Sequence, residues 1–99
     1  MTPVVLSSKS MKFLDGLDAK QYRQIGKRIW GLQEDGSPHD VKYLSGHPGY
    51  FRIDNGEFRV IFCRKDGLIE ITLIGKRNDD EVYKNFSRLS YKFRYVINI

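Results

Sequence analysis

The sequence predicts an α+β fold: a short first strand, an antiparallel pair of helices packed on a twisted antiparallel sheet, and a C-terminal helix. Three observations predict it. Apolar stripes at helical spacing run through the first third of the 99-residue chain. Asn55-Gly56 and Asp66-Gly67, the strongest short hairpin signals, separate three β-rich runs in the second half. Asp79, Asp80 and Glu81 then precede a further stripe, where acidic residues suit the positive end of a helix.

Pro3-Val4-Val5-Leu6 reads as the first strand. Ser7 or Ser8 caps a helix through Met11, Leu14 and Leu17. Asp18 caps a second, with Tyr22, Ile25, Ile29 and Leu32 on one face and Lys20, Arg23, Lys27 and Arg28 on the others. Trp30, beside that stripe, is placed under the sheet or at a partner contact. Asp35-Gly36-Ser37-Pro38 ends the helix. Runs 49–54, 57–65 and 68–76 form a three-stranded meander, which the first strand joins in the sheet. Val82, Phe86 and Leu89 make the stripe of the last helix. Residues 92–99 read equally as its continuation or as a strand, because Phe93, Tyr95, Ile97 and Ile99 alternate. Residues 1–99 are read as one domain, with 90–99 an extension of uncertain structure.

Composition narrows the function. Hydrophobic residues at 40% and aromatics at 13% exclude a disordered chain. No run of 18 apolar residues marks a membrane span, and the N-terminus lacks a signal-peptide pattern. The single cysteine, Cys63, points to a reducing cytoplasm and is read as an inert thiol. His39 and His47 have no metal-ligand company, so neither metal nor cofactor is expected. Lys and Arg number 17 against 12 Asp and Glu, a net charge of +5 that favours a polyanionic partner.

Two-residue loops at both hairpin dipeptides would set Arg52 against Arg59 and Asp54 against Glu57. Further along, Val60 would oppose Leu73 and Arg59 would oppose Ile74. Alternation then gives a core face of Phe51, Ile53, Phe58, Val60, Phe62, Ile69, Ile71 and Leu73. The other face carries Tyr50, Arg52, Asp54, Glu57, Arg59, Ile61, Cys63, Glu70, Thr72 and Ile74. Facing arginines repel. They suit a surface that holds phosphate, whose oxygens match the guanidinium fork. The alternative is an ordinary surface network in which Asp54, Glu57 and Glu70 neutralise them.

The ordered set Leu44-Ser45-Gly46, Tyr50-Phe51-Arg52-Ile53-Asp54, Gly56-Glu57-Phe58-Arg59-Val60-Ile61-Phe62 and Gly75-Lys76-Arg77, followed by Glu81-Val82-Tyr83-Lys84, resembles the RelE/ParE toxin superfamily over about residues 3–90. The Gly-Lys-Arg run followed by a tyrosine is similar to the RelE branch, which cuts mRNA in the ribosomal A site. The ParE branch instead poisons DNA gyrase. The resemblance implies a RelE-like fold, a bacterial cytoplasmic toxin of a type II toxin–antitoxin pair, the 70S ribosome and mRNA as targets, and an acidic antitoxin as partner, in a hetero-oligomer. A gyrase-inhibiting or inactive binding module is the alternative. Arg59, Arg77 and Tyr83 match the branch's cleavage residues. Arg52 and Asp54 stand where the best-known members have two lysines, so Asp54 reverses the charge.

Metal-free cleavage by the substrate's own 2′-hydroxyl needs a base, cations around the phosphorus and an acid for the leaving oxygen. Arg52, Arg59 and Arg77 are suited to hold charge, since arginine stays protonated. The base stays open between Asp54, Tyr83 and a histidine. Asp54 is equally a tether for the arginines. Tyr83 is equally a stacking residue or an edge-of-core tyrosine. Lys76, Lys84, Tyr50 and His47 are the candidates for RNA or ribosome contact.

Overall fold

The computed structural model describes residues 2–35, 40–76 and 93–97. The first apolar run forms β1, Val4–Ser7, with all four residues buried. A strand covered on both faces takes apolar side chains at successive positions, and Val4-Val5-Leu6 supplies them. Ser7 ends β1 and caps α1, Ser8–Asp15; its hydroxyl accepts from the Ser10 N–H at 3.1 Å. Asp18 caps α2, Ala19–Asp35, its Oδ1 accepting from the Gln21 N–H at 2.8 Å. Ile25, Ile29 and Leu32 of α2 are buried, but Tyr22 is 41% and Trp30 46% exposed. Trp30 therefore does not lie under the sheet. One helical step past Ile29 turns it about 100° away from the core.

The sheet has six strands in the order β2-β3-β4-β5-β1-β6: β2 is Lys42–Tyr43, β3 Tyr50–Asn55, β4 Phe58–Lys65, β5 Leu68–Lys76 and β6 Phe93–Ile97. The meander β3-β4-β5 is antiparallel. The whole sheet is mixed rather than antiparallel, because β1 runs parallel to β5. The helical pair between β1 and the meander provides the long connection that parallel neighbours require. β6 pairs antiparallel with β1, which gives the alternating tail as a strand. The helix expected from residue 79 lies outside the described residues.

β2 is a strand the sequence reading did not contain. It pairs with β3 through Lys42↔Arg52 and Tyr43↔Phe51. The Arg28–Asp40 ion pair anchors the segment just ahead of it to α2. The return to β3 is tightened by hydrogen bonds from the Leu44 N–H to the Tyr50 carbonyl at 3.0 Å and from the His47 N–H to the Leu44 carbonyl at 3.2 Å.

The first hairpin departs from the expected register. Asp54 opposes Arg59, Arg52 opposes Ile61 and Asn55 opposes Phe58. The loop is Gly56-Glu57 rather than Asn55-Gly56. Gly56, at φ 60°, takes the left-handed conformation at the first loop position, so Asn55 stays in the strand. The first strand thus gains Asn55 and the second loses Glu57 to the loop, and the residues that stay in the strands keep their faces. The second turn is as expected: Asp66 and Gly67, at φ 53° and 77°, connect Lys65 to Leu68.

A bulge in β5 changes the remainder. Phe62 opposes Ile71, but Ile61 opposes Leu73, Val60 opposes Ile74 and Arg59 opposes Gly75, leaving Thr72 as the extra residue. Ile74, not Leu73, therefore enters the core cluster with Val4, Leu6, Leu14, Ile25, Ile29, Leu32, Ile53, Phe58, Val60, Phe62, Ile69 and Ile71. Side chains satisfy the bulge. Thr72 Oγ1 donates to the Ile61 carbonyl at 3.1 Å, and Ser7 Oγ donates to the Thr72 carbonyl at 2.8 Å. The N-cap of α1 is thus also its tie to the sheet.

Candidate active site

The face of the meander opposite the helices carries three cross-strand rows. Tyr50, Cys63 and Glu70 form the first; Lys42, Arg52, Ile61 and Leu73 the second; Asp54, Arg59 and Gly75 the third. Ile61, Cys63 and Leu73 are buried, so this is not a bare polar surface. Glu57 is not part of it. It sits in the loop and accepts from Gln21 Nε2 of α2 at 3.2 Å.

Arg52 and Arg59 do not face one another directly. They are diagonal neighbours, still within reach of each other's long side chains. Asp54 lies between them. Its Oδ2 accepts from Arg52 Nη1 at 3.0 Å and its Oδ1 from Arg59 Nε at 2.8 Å. The side chains of Arg52, Asp54 and Arg59 are 22%, 19% and 13% exposed, which makes these partly desolvated pairs rather than loose surface contacts. A neutralising network is therefore present: among the described residues, Asp54 forms an ion pair with each arginine. It holds both guanidiniums in one orientation, one carboxylate set against two guanidiniums. Arg52 Nη2 and Nε make no other hydrogen bond among the described residues. Gly75, opposite Arg59, is buried.

The first row is a relay. The Tyr50 hydroxyl is hydrogen-bonded to Cys63, and Cys63 Sγ donates to Glu70 Oε2 at 3.2 Å. Burial, with the Glu70 hydrogen bond and charge adding to it, pushes the Cys63 thiol up to about 12. Burial, then the charges of Cys63 and Glu70, raises Tyr50 as well. Both groups stay protonated at neutral pH, and a neutral thiol is neither a nucleophile nor a metal ligand.

Of the other candidates, Lys76 ends β5, exposed and opposite Phe58. His47 lies in the β2–β3 connection, half-buried. Arg77, Tyr83, Lys84 and His39 lie outside the described residues. Lys42 was not a candidate, because β2 is only two residues long and its residues are both exposed, so no alternation marks it.

No protein-family model and no curated protein matches the chain. Solved structures do. Archaeal RelE from the Pyrococcus horikoshii OT3 RelE–RelB complex is 28% identical with a TM-score of 0.66, over 79% of this chain and 98% of that one. The isolated E. coli RelE toxin is 18% identical, with a TM-score of 0.66 over 86% and 94%. The Methanococcus jannaschii RelB–RelE antitoxin–toxin complex contributes a chain 20% identical, with a TM-score of 0.65 over 83% and 98%. The chain has the fold of the RelE-like toxin superfamily.

Proposed function

We propose that the chain is the toxin of a type II toxin–antitoxin pair and a metal-independent endoribonuclease that cuts mRNA in the ribosomal A site. The observation that carries this reading is the Asp54-tethered pair Arg52 and Arg59, two oriented guanidiniums on one face of a RelE-like sheet. Such a pair stabilises a phosphorane-like transition state, where negative charge grows on the non-bridging oxygens.

In the proposed reaction the substrate 2′-oxygen attacks phosphorus. The O2′–P bond forms and the P–O5′ bond breaks. The 2′-hydroxyl proton leaves to a base and a proton is delivered to O5′. The products are a 2′,3′-cyclic phosphate and a 5′-hydroxyl. Both Asp54 oxygens already accept from guanidinium groups, which supports a tethering role. Tyr83 and a histidine are the remaining base candidates, and Arg77 the further cation beside the leaving oxygen. Lys76, Lys84, Tyr50 and His47 contact RNA or the ribosome in this reading. Solved RelE chains bound to RelB antitoxins support an antitoxin as partner, and the +5 charge of this chain favours an acidic one.

Mapping the ends of mRNA cut in programmed ribosomes tests the reading. The expected ends are a 2′,3′-cyclic or 3′-phosphate and a 5′-hydroxyl. Arg59→Ala and Arg77→Ala each lower single-turnover cleavage by about 10²–10³, the range for one transition-state donor. A 5′-phosphate end, or DNA synthesis stopping before protein synthesis on induction, overturns it.

A further inference from the structure

The geometry points to Lys42 as a second phosphate-binding position. It holds the backbone phosphate next to the one gripped by Arg52 and Arg59, so that the face binds two successive phosphates of a single-stranded RNA. This rests on the nuclease reading above and adds a residue that the sequence motifs do not contain.

Three observations carry it. First, the register sets Lys42 directly opposite Arg52, hence on the same face. Directly opposed residues on neighbouring strands have Cβ atoms about 4.5–5.5 Å apart, and diagonal ones about 7–8 Å. Lys42, Arg52 and Arg59 therefore step across β2, β3 and β4 as a continuous track. Second, the charge at the outer end of this track is uncompensated among the described residues. Asp54 pairs with Arg52 and Arg59, while Lys42 is exposed and has no ion pair among the described residues. Like charges opposed across strands cost stability, and an anion laid along the track removes that cost. Third, the track ends where the sheet ends. β2 is the edge strand, so Lys42 stands at the open rim, where a polymer enters or leaves the site. Its ammonium is a mobile point charge, suited to a non-reacting phosphate. The planar guanidiniums suit the reacting one.

A lysine on an edge strand also guards against unwanted strand pairing, and the test separates the two roles. The probe is ribosomes programmed with an mRNA whose A-site codon carries 2′-O-methyl groups, which blocks cleavage and leaves binding readable. Lys42→Ala is expected to weaken binding about three- to tenfold, the scale of one exposed charge-assisted contact. It is also expected to flatten the dependence of log affinity on log salt by about 0.7, the value for one phosphate on a single strand. Lys42→Arg restores both. A methylphosphonate, uncharged, at the phosphate on one side of the scissile position is expected to abolish the difference between Lys42→Ala and the unaltered chain. The phosphates on both sides are tried in turn. With cleavable mRNA, the loss falls on half-saturation more than on the rate at saturation.

The inference is overturned if affinity and salt slope are unmoved in Lys42→Ala, including the case in which that variant self-associates in sedimentation velocity. It is also overturned if neither methylphosphonate changes the penalty. If the unaltered chain binds with this lysine dependence but does not cut cleavable mRNA, the nuclease reading falls and the phosphate contact stands. If the unaltered chain does not bind programmed ribosomes, both fall.

Discussion

At the scale of single residues, Asp54 decides how the candidate site is organised. An acid between two arginines could take a proton from the attacking hydroxyl, or it could aim the arginines. Both of its oxygens are used at hydrogen-bond distance, 3.0 Å to Arg52 and 2.8 Å to Arg59, and aiming is the role we assign. Asp54→Asn keeps the shape and one acceptor oxygen. Single-turnover cleavage in programmed ribosomes is therefore expected to fall about tenfold or less, within the range of one weakened charge-assisted contact. Asp54→Ala releases both guanidiniums and should cost more than Asp54→Asn. A thousandfold loss in the asparagine variant makes Asp54 the base instead. The relay Tyr50–Cys63–Glu70 stands one row away, and its neutral thiol explains why a cysteine on the site's own face need not be reactive.

At the scale of elements, α2 carries two glycines that its packing does not require. A Cβ at Gly26 or Gly31 would meet nothing within 4 Å. Glycine inside a helix costs about 0.5–1 kcal/mol relative to alanine, through the backbone freedom it loses on folding. Gly26→Ala and Gly31→Ala are each expected to stabilise the chain by that amount and to raise the thermal midpoint by a few degrees. A midpoint that stays level or falls in either variant would show that the position serves packing after all. The strands show what alternation encodes and what it does not. The faces of β3 and β4 were legible because moving the loop from Asn55-Gly56 to Gly56-Glu57 changes the pairing by two residues in total, and side chains repeat every two. The Arg52–Arg59 opposition was not, because it depended on that pairing. Beyond Thr72 the reading of β5 inverted. Ile71-Thr72-Leu73-Ile74 are all good strand formers, so nothing in their order marks the extra residue. What holds the bulge is Ser7, far away in sequence, whose hydroxyl meets the Thr72 carbonyl. β2 is two residues long, too short for a period to show, and Lys42 was missed with it.

At the scale of the whole molecule, cations stand outside the candidate site as well as in it. The chain carries +5, and Asp54 neutralises one of the two positive charges at the arginine pair. Further cations lie away from that pair, including the exposed Lys20, Arg23 and Lys27 on the outer side of α2. Charges spread over a surface act mainly on encounter. They steer an acidic partner toward the protein, whereas the lifetime of the complex depends on buried contacts. An acidic antitoxin encoded by an adjacent reading frame is thus expected to co-purify with the chain when the two are expressed together. Its association rate should fall at least about tenfold as salt rises from about 0.05 M to 0.5 M, where the screening length shortens to a few ångströms. Its dissociation rate should change much less, because desolvated contacts are weakly screened. Stopped-flow mixing of the separately purified proteins at several salt concentrations measures both. An association rate indifferent to salt would mean that the surplus charge is not aimed at the antitoxin. Recovery of the chain alone, soluble and harmless to the host, would remove the antitoxin itself from the proposal.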